Sequence, residues 1–138
     1  MRNQSLKFAL KCGALAAMLL AAGCQTMTPK YEAPSPKNPD FAAEMNKFNA
    51  QFPNDKATRY EDVSIKFNND QKIDEKGHCH DKSQFPVTII LQLDAAGKVT
   101  RSMTDVENSK AECFRQTYAS VQFPAPPIAP YRKAILLQ

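Results

Sequence analysis

Chemistry in this sequence concentrates in four cysteines and two histidines. His78-Cys79-His80-Asp81 sets two imidazoles, a thiol and a carboxylate in consecutive positions, and Cys113 follows 34 residues after Cys79. A nucleophile and its base need spatial contact and a lowered thiol pKa, and adjacency in sequence supplies neither. A metal site drawn from His78, Cys79, His80 and Cys113 would lack the intervening residues of the usual zinc spacings. The chain has four glycines, one of them Gly23, and no glycine-rich phosphate loop. The expectation is a protein with no catalytic residue, no cofactor and no metal, its two histidines exposed. The other use of Cys79 and Cys113 is a disulfide, which depends on the compartment.

The start of the chain addresses that question. Arg2, Lys7 and Lys11 form a basic start, residues 12–22 an apolar run, and Leu20-Ala21-Ala22-Gly23 set small residues before Cys24. This is the layout of a secretory signal, and the run is too short for a membrane span of about 20 residues. Leu20-Ala21-Ala22-Gly23-Cys24 resembles the lipobox of bacterial lipoproteins. The resemblance implies removal of residues 1–23 and lipidation of Cys24, an anchor stronger than the two signals stable attachment requires. The alternatives are an ordinary secreted protein cut near Ala22 or Gly23, and a chance apolar run. Gln25 stands where an Asp would resemble an inner-membrane retention signal, so the expected location is the outer membrane, with the domain in the periplasm.

Removing the signal changes the arithmetic. Residues 24–138 carry 15 Lys and Arg against 14 Asp and Glu, so the precursor's +4 belongs mostly to the discarded segment and nucleic acid is not an expected partner. The roughly 100 residues left after a linker support one core. Cys12 leaves with the signal and Cys24 is taken by lipid, which leaves Cys79 and Cys113 in an oxidising compartment. That favours their disulfide over the metal alternative, and closing the loop would stabilise the fold by roughly 4 kcal/mol.

Residues 25–40 hold four of the ten prolines and few large apolar side chains, so residues 24–40 are expected to be a lipidated cysteine and an extended tether. The domain is expected over 41–138. Phe41, Met45, Phe48 and Phe52 repeat at helical spacing after Asn38-Pro39-Asp40, with Pro53 as a stop. Val63, Ile65 and Phe67 alternate with polar residues and predict a short strand, and residues 68–81 a long surface loop. Residues 85–93 place Val87, Ile89, Leu91 and Leu93 on one face of a strand. Asp94-Ala95-Ala96-Gly97-Lys98 turns into a second strand over 98–106. Ser109 and Glu112 have the spacing of a capping box for a helix to about Ser120, ended by Phe123-Pro124-Ala125-Pro126-Pro127. Ala134-Ile135-Leu136-Leu137 closes as a last strand. The expected class is α+β, an antiparallel sheet of about three strands backed by two helices.

This order, with Pro86-Val87-Thr88-Ile89-Ile90-Leu91-Gln92-Leu93-Asp94-Ala95-Ala96-Gly97-Lys98-Val99, the helix through Ala111-Glu112-Cys113-Phe114 and the Phe123-Pro124 stop, resembles the carboxy-terminal domain of the periplasmic proteins TonB and TolA. It is closer to TolA, whose domains commonly link a cysteine near the first strand to one in the helix. The likeness covers residues 86–127 best. The force-transducing role of that family does not carry over, because the expected anchor is lipid and the tether short. The likeness implies a sheet whose open edge accepts a partner strand. Lys133, Ala134, Ile135, Leu136 and Leu137 are the expected partner-binding residues. The expected function is a non-catalytic module, monomeric alone, that binds another envelope protein. The alternatives are a structural accessory subunit of a secretion, pilus or transport assembly, and a small inhibitor or immunity-type protein.

Overall fold

A computed structural model describes residues 31–138, a single compact unit. Its centre is β1 (Val87–Leu93), in which five of seven side chains are buried. Burying Val87, Ile89, Ile90, Leu91 and Leu93 contributes on the order of 2 kcal/mol each, enough to make this strand the anchor of the core. Asp94 turns the chain: its carboxylate accepts from Ala96 and Lys98 N–H at 2.9 Å each, and Gly97 adopts φ +84°. β2 (Val99–Thr104) returns antiparallel, and β3 (Tyr131–Leu137) pairs antiparallel on the other side of β1, giving the order β2-β1-β3.

The register slips between Gln92 and Leu93, so Leu93 faces Val99 while Gln92 faces Arg101. This bulge at Thr100 puts Val99, Ser102 and Thr104 on the core side, which is why simple alternation along 99–104 gives no decisive face. The core side also carries Tyr131, Lys133, Ile135 and Leu137 of β3. The last strand therefore begins three residues before the predicted Ala134.

Among the described residues three α-helices flank the sheet, one more than expected. α1 (Phe41–Asn49) occupies the predicted place, although Asp40 at its N-cap makes no side-chain bond and none of its residues is fully buried. Its Glu44 lines one small recess with Ile90, Gln92, Arg101 and Met103, so α1 lies on the face of the sheet away from the main core. α2 (Asp55–Asp70) replaces the predicted strand at Val63, Ile65 and Phe67 and the start of the predicted loop. Asn54 caps it by accepting from Lys56 N–H at 2.9 Å. Its hidden face is Ala57, Tyr60, Ser64 and Asn68, at helical spacing but half polar, while Val63 and Ile65 are exposed. The rest of the predicted loop is a 3-10 segment, Ile73–Lys82, kinked at Lys76, Gly77 and His78 and buried at Ile73 and Cys79.

α3 (Ser109–Ala119) packs Ala111, Phe114 and Tyr118 inward. Its cap is Asn108, which accepts from Ala111 N–H at 2.8 Å. Ser109 Oγ instead donates to the Lys82 carbonyl, and Glu112 pairs with Arg115, so the predicted capping box is not formed. Three tyrosines join the layers: Tyr60 packs edge-on to Tyr131 and donates to the Pro124 carbonyl at 2.6 Å, and Tyr118 donates to Asn68 at 2.7 Å. Burial raises Tyr60 to about 12 and Tyr118 further above its ordinary value, so both remain neutral donors.

The tether boundary also moves. Residues 31–40 belong to the compact unit. Lys37 bridges Val106, Asn38 N–H donates to the Asp105 carbonyl, and Glu107 N–H donates to the Pro36 carbonyl at 2.8 Å. Proline lacks a donor but keeps its acceptor, so a proline-containing segment can join one side of a ladder. Glu32 accepts from Gln84 N–H at 2.9 Å and from Ser83 Oγ.

Candidate functional site at the β3 edge

The predicted partner-binding residues occupy an edge strand, and their side chains divide by parity. Lys133 and Leu137 point into the core. Lys133 is fully buried and its ammonium meets Glu61 at 2.8 Å. Burial pulls the Lys133 pKa down and Glu61 opposes that shift. Lys133 is therefore a structural cation and no accessible handle, contrary to the expectation. Ile135 is partly buried on the same side. Ala134 and Leu136 belong to the opposite face, and Leu136 is 59% exposed.

Backbone direction follows the same alternation. The N–H and C=O of Arg132 both bond the Gln51 side chain, at 2.7 and 2.8 Å, so they point away from β1. The register with β1 is unbroken along β3, which directs the backbone groups of Ala134 and Leu136 outward as well. On the other side of β1, Thr88 exchanges bonds with Asp105, as this alternation requires. Among the described residues, no group bonds the outward N–H and C=O of Ala134 or Leu136. A recess of about 170 Å³ lies beside them, lined by Ile65, Asn68 and Asn69 of α2 and by Lys133, Ala134, Ile135 and Leu136. Ile65 is 46% exposed there, so two of the exposed large apolar side chains, Ile65 and Leu136, flank one recess.

Cys79 and Cys113 form the disulfide, with Cα atoms 5.5 Å apart, within the usual range. It fastens the 3-10 segment to α3, and Gly77 permits the turn with φ +75°. The bond removes Cys79 as a thiol nucleophile or thiolate ligand. His78 is exposed near Asp81, at 3.9 Å, whereas His80 packs edge-on to Phe114 and bonds the Gln138 carbonyl. Among the described residues, no group of three or more His, Cys, Asp or Glu could hold a metal ion, and no helix is long and apolar enough to cross a membrane. The signal at 1–23 and the lipidation site Cys24 lie outside the described residues.

Sequence reasoning missed Gln51, Ile65 and Asn69 at this site. Gln51 meets Arg132 from 81 positions away, a relation no local pattern carries. No family model, curated protein or solved structure matches the chain.

Proposed function

We propose that this chain is an outer-membrane lipoprotein, anchored through Cys24, whose periplasmic domain is a TolA-like non-catalytic module that binds another envelope protein by strand addition at β3. The observation that carries the reading is the pair of outward, unbonded residues Ala134 and Leu136 beside the recess at Ile65. With residues 31–40 docked, six residues connect Cys24 to the domain, a reach of roughly 25 Å at full extension. The partner is met close to the membrane.

Magnitudes define the kind of binding. Four backbone bonds at about 1 kcal/mol each only match the lower bound of about 4 kcal/mol for lost translational and rotational freedom. Burying one apolar side chain in the recess adds roughly 1.5–3 kcal/mol. The complex is weak and reversible, and confinement of both proteins at one membrane raises their effective concentration. Exposed large apolar side chains among the described residues are Tyr31, Val63, Ile65 and Leu136, of which Ile65 and Leu136 line one recess and Val63 another, a distribution that favours a small peptide site over the broad surface of an accessory subunit.

Two substitutions test the reading. Cys24→Ser is expected to release the protein from membranes, and retained detergent-dependent association would contradict the anchor. Ala134→Pro removes an outward donor at an edge position where proline is tolerated. It is expected to abolish in-cell photocrosslinking to the partner while the domain stays folded by circular dichroism, and undiminished adducts would contradict strand addition.

A further inference from the structure

The open part of the β3 edge is bounded at both ends by side chains of the same chain. At one end, Gln51 donates from Nε2 to the Arg132 carbonyl and accepts at Oε1 from the Arg132 N–H. A primary amide that makes this pair of bonds occupies the place of one residue of an added strand. Gln51 is 9% exposed, and its Nε2 also lies 3.3 Å from the Phe48 carbonyl in the last turn of α1, so the amide is held rather than loosely placed. At the other end, His80 Nδ1 bonds the Gln138 carbonyl, with the ring fixed against Phe114 and the neighbouring Cys79 in the disulfide. Arg132, Ala134 and Leu136 have one parity in the register with β1, and His80 holds the carbonyl of the residue that directly follows β3.

Resting on the strand-addition reading above, we infer that Gln51 and His80 fix the length and register of the pairing site, so that it accepts a three-residue extended stretch opposite Ala134 and Leu136, with an uncharged apolar side chain in the recess. The class of side chain follows from the lining. Ile65 and Ile135 are apolar, Asn68 and Asn69 are neutral, and the one cation, Lys133, is consumed by Glu61. A charged side chain would enter the recess without a free opposite charge. A longer strand would have to displace Gln51, and that would leave a buried amide without its partners.

The test uses the ¹⁵N-labelled full chain in detergent micelles and two blocked probes, Thr-Val-Thr and Thr-Val-Thr-Val-Thr-Val-Thr. Slow hydrogen exchange is expected at the Arg132 amide and fast exchange at Ala134 and Leu136. Both probes are expected to shift the Ala134 and Leu136 amides with affinities within about twofold of each other. In Gln51→Ala the Arg132 amide is expected to exchange fast, and the seven-residue probe to bind about tenfold more tightly than the three-residue one. Gln51→Glu, which keeps the acceptor, guards against an alanine variant that fails to fold, and is expected to widen the ratio in the same direction. A seven-residue probe that already binds tenfold more tightly to the parent overturns the length limit, as does a ratio unchanged in both variants. Slow Arg132 exchange relieved by Gln51→Ala, with neither probe moving any edge amide, retains the cap and overturns strand addition itself.

Discussion

Along β2 the chain covers both ends of its own edge with backbone. Lys98 bridges Gln122 with a bond from Phe123 N–H to the Gly97 carbonyl at 2.9 Å, and beyond the strand Val106 bridges Lys37. Between them the strand is bulged at Thr100, and Thr104 accepts from Arg115 at 2.6 Å while that guanidinium also pairs with Glu107 and Glu112. Along β3 the ladder is regular, the ends are held by two side chains, and Leu136 is exposed. Bulges, charges and covering segments are the means by which proteins keep edges from pairing. One edge has all three, and the other keeps a short uncharged opening. This contrast underlies the proposal that the opening at β3 is left available to a partner strand.

The contrast can be broken or sharpened by substitution. The largest effect is expected from replacing Cys79 and Cys113 together with serine. Loss of the bond frees the segment that carries His80 and should lower stability by about 4 kcal/mol, seen as a lower melting temperature in oxidising buffer. Gly97→Ala attacks the β2 side. Its Cβ would stand 2.2 Å from the Phe123 carbonyl oxygen at a φ of +84°, so the Lys98 and Gln122 bridge must yield. The expected loss is about 3 kcal/mol in a denaturant melt, with the pairing of β3 to β1 retained.

A smaller effect comes from Glu44, whose carboxylate hydrogen-bonds Lys47 and Arg132 and is thereby held at about 2, below its ordinary 4.5. A lowered carboxyl pKa stabilises the fold above the ordinary value, and that contribution fades as pH falls from about 4.5 towards 2. Glu44→Gln is expected to cost about 1 kcal/mol at pH 7, after discounting for the exposed Lys47, and progressively less as pH falls towards 2. It acts beside Arg132, so exchange at that amide should quicken. Leu136→Lys is the smallest in stability, within about 0.5 kcal/mol, yet it places a charge on the opening and is expected to abolish partner binding.

How much of this was legible in the sequence depends on whether the signal was local. β1 was, because Val87, Ile89, Leu91 and Leu93 alternate and Asp94 to Gly97 supply the turn chemistry. The final helix was legible in its place, although Asn108 rather than Ser109 caps it. α2 was hidden because Ser64 and Asn68, two of its buried positions, are polar, while Val63, Ile65 and Phe67 happen to alternate. Pro53-Asn54 was legible as a stop, and the cap at Asn54 shows that it is also a start. Ala134 and Leu136 were legible as parts of an edge. The two caps were not, since Gln51 to Arg132 and His80 to Gln138 are relations across the fold.

The most direct measurement places a photoreactive phenylalanine at position 136 or at position 102 of the tagged full chain and irradiates intact cells. If a partner strand adds at β3, position 136 gives one discrete envelope-protein adduct and position 102 gives none. Adducts of equal yield from both positions, or from position 102 alone, would contradict it.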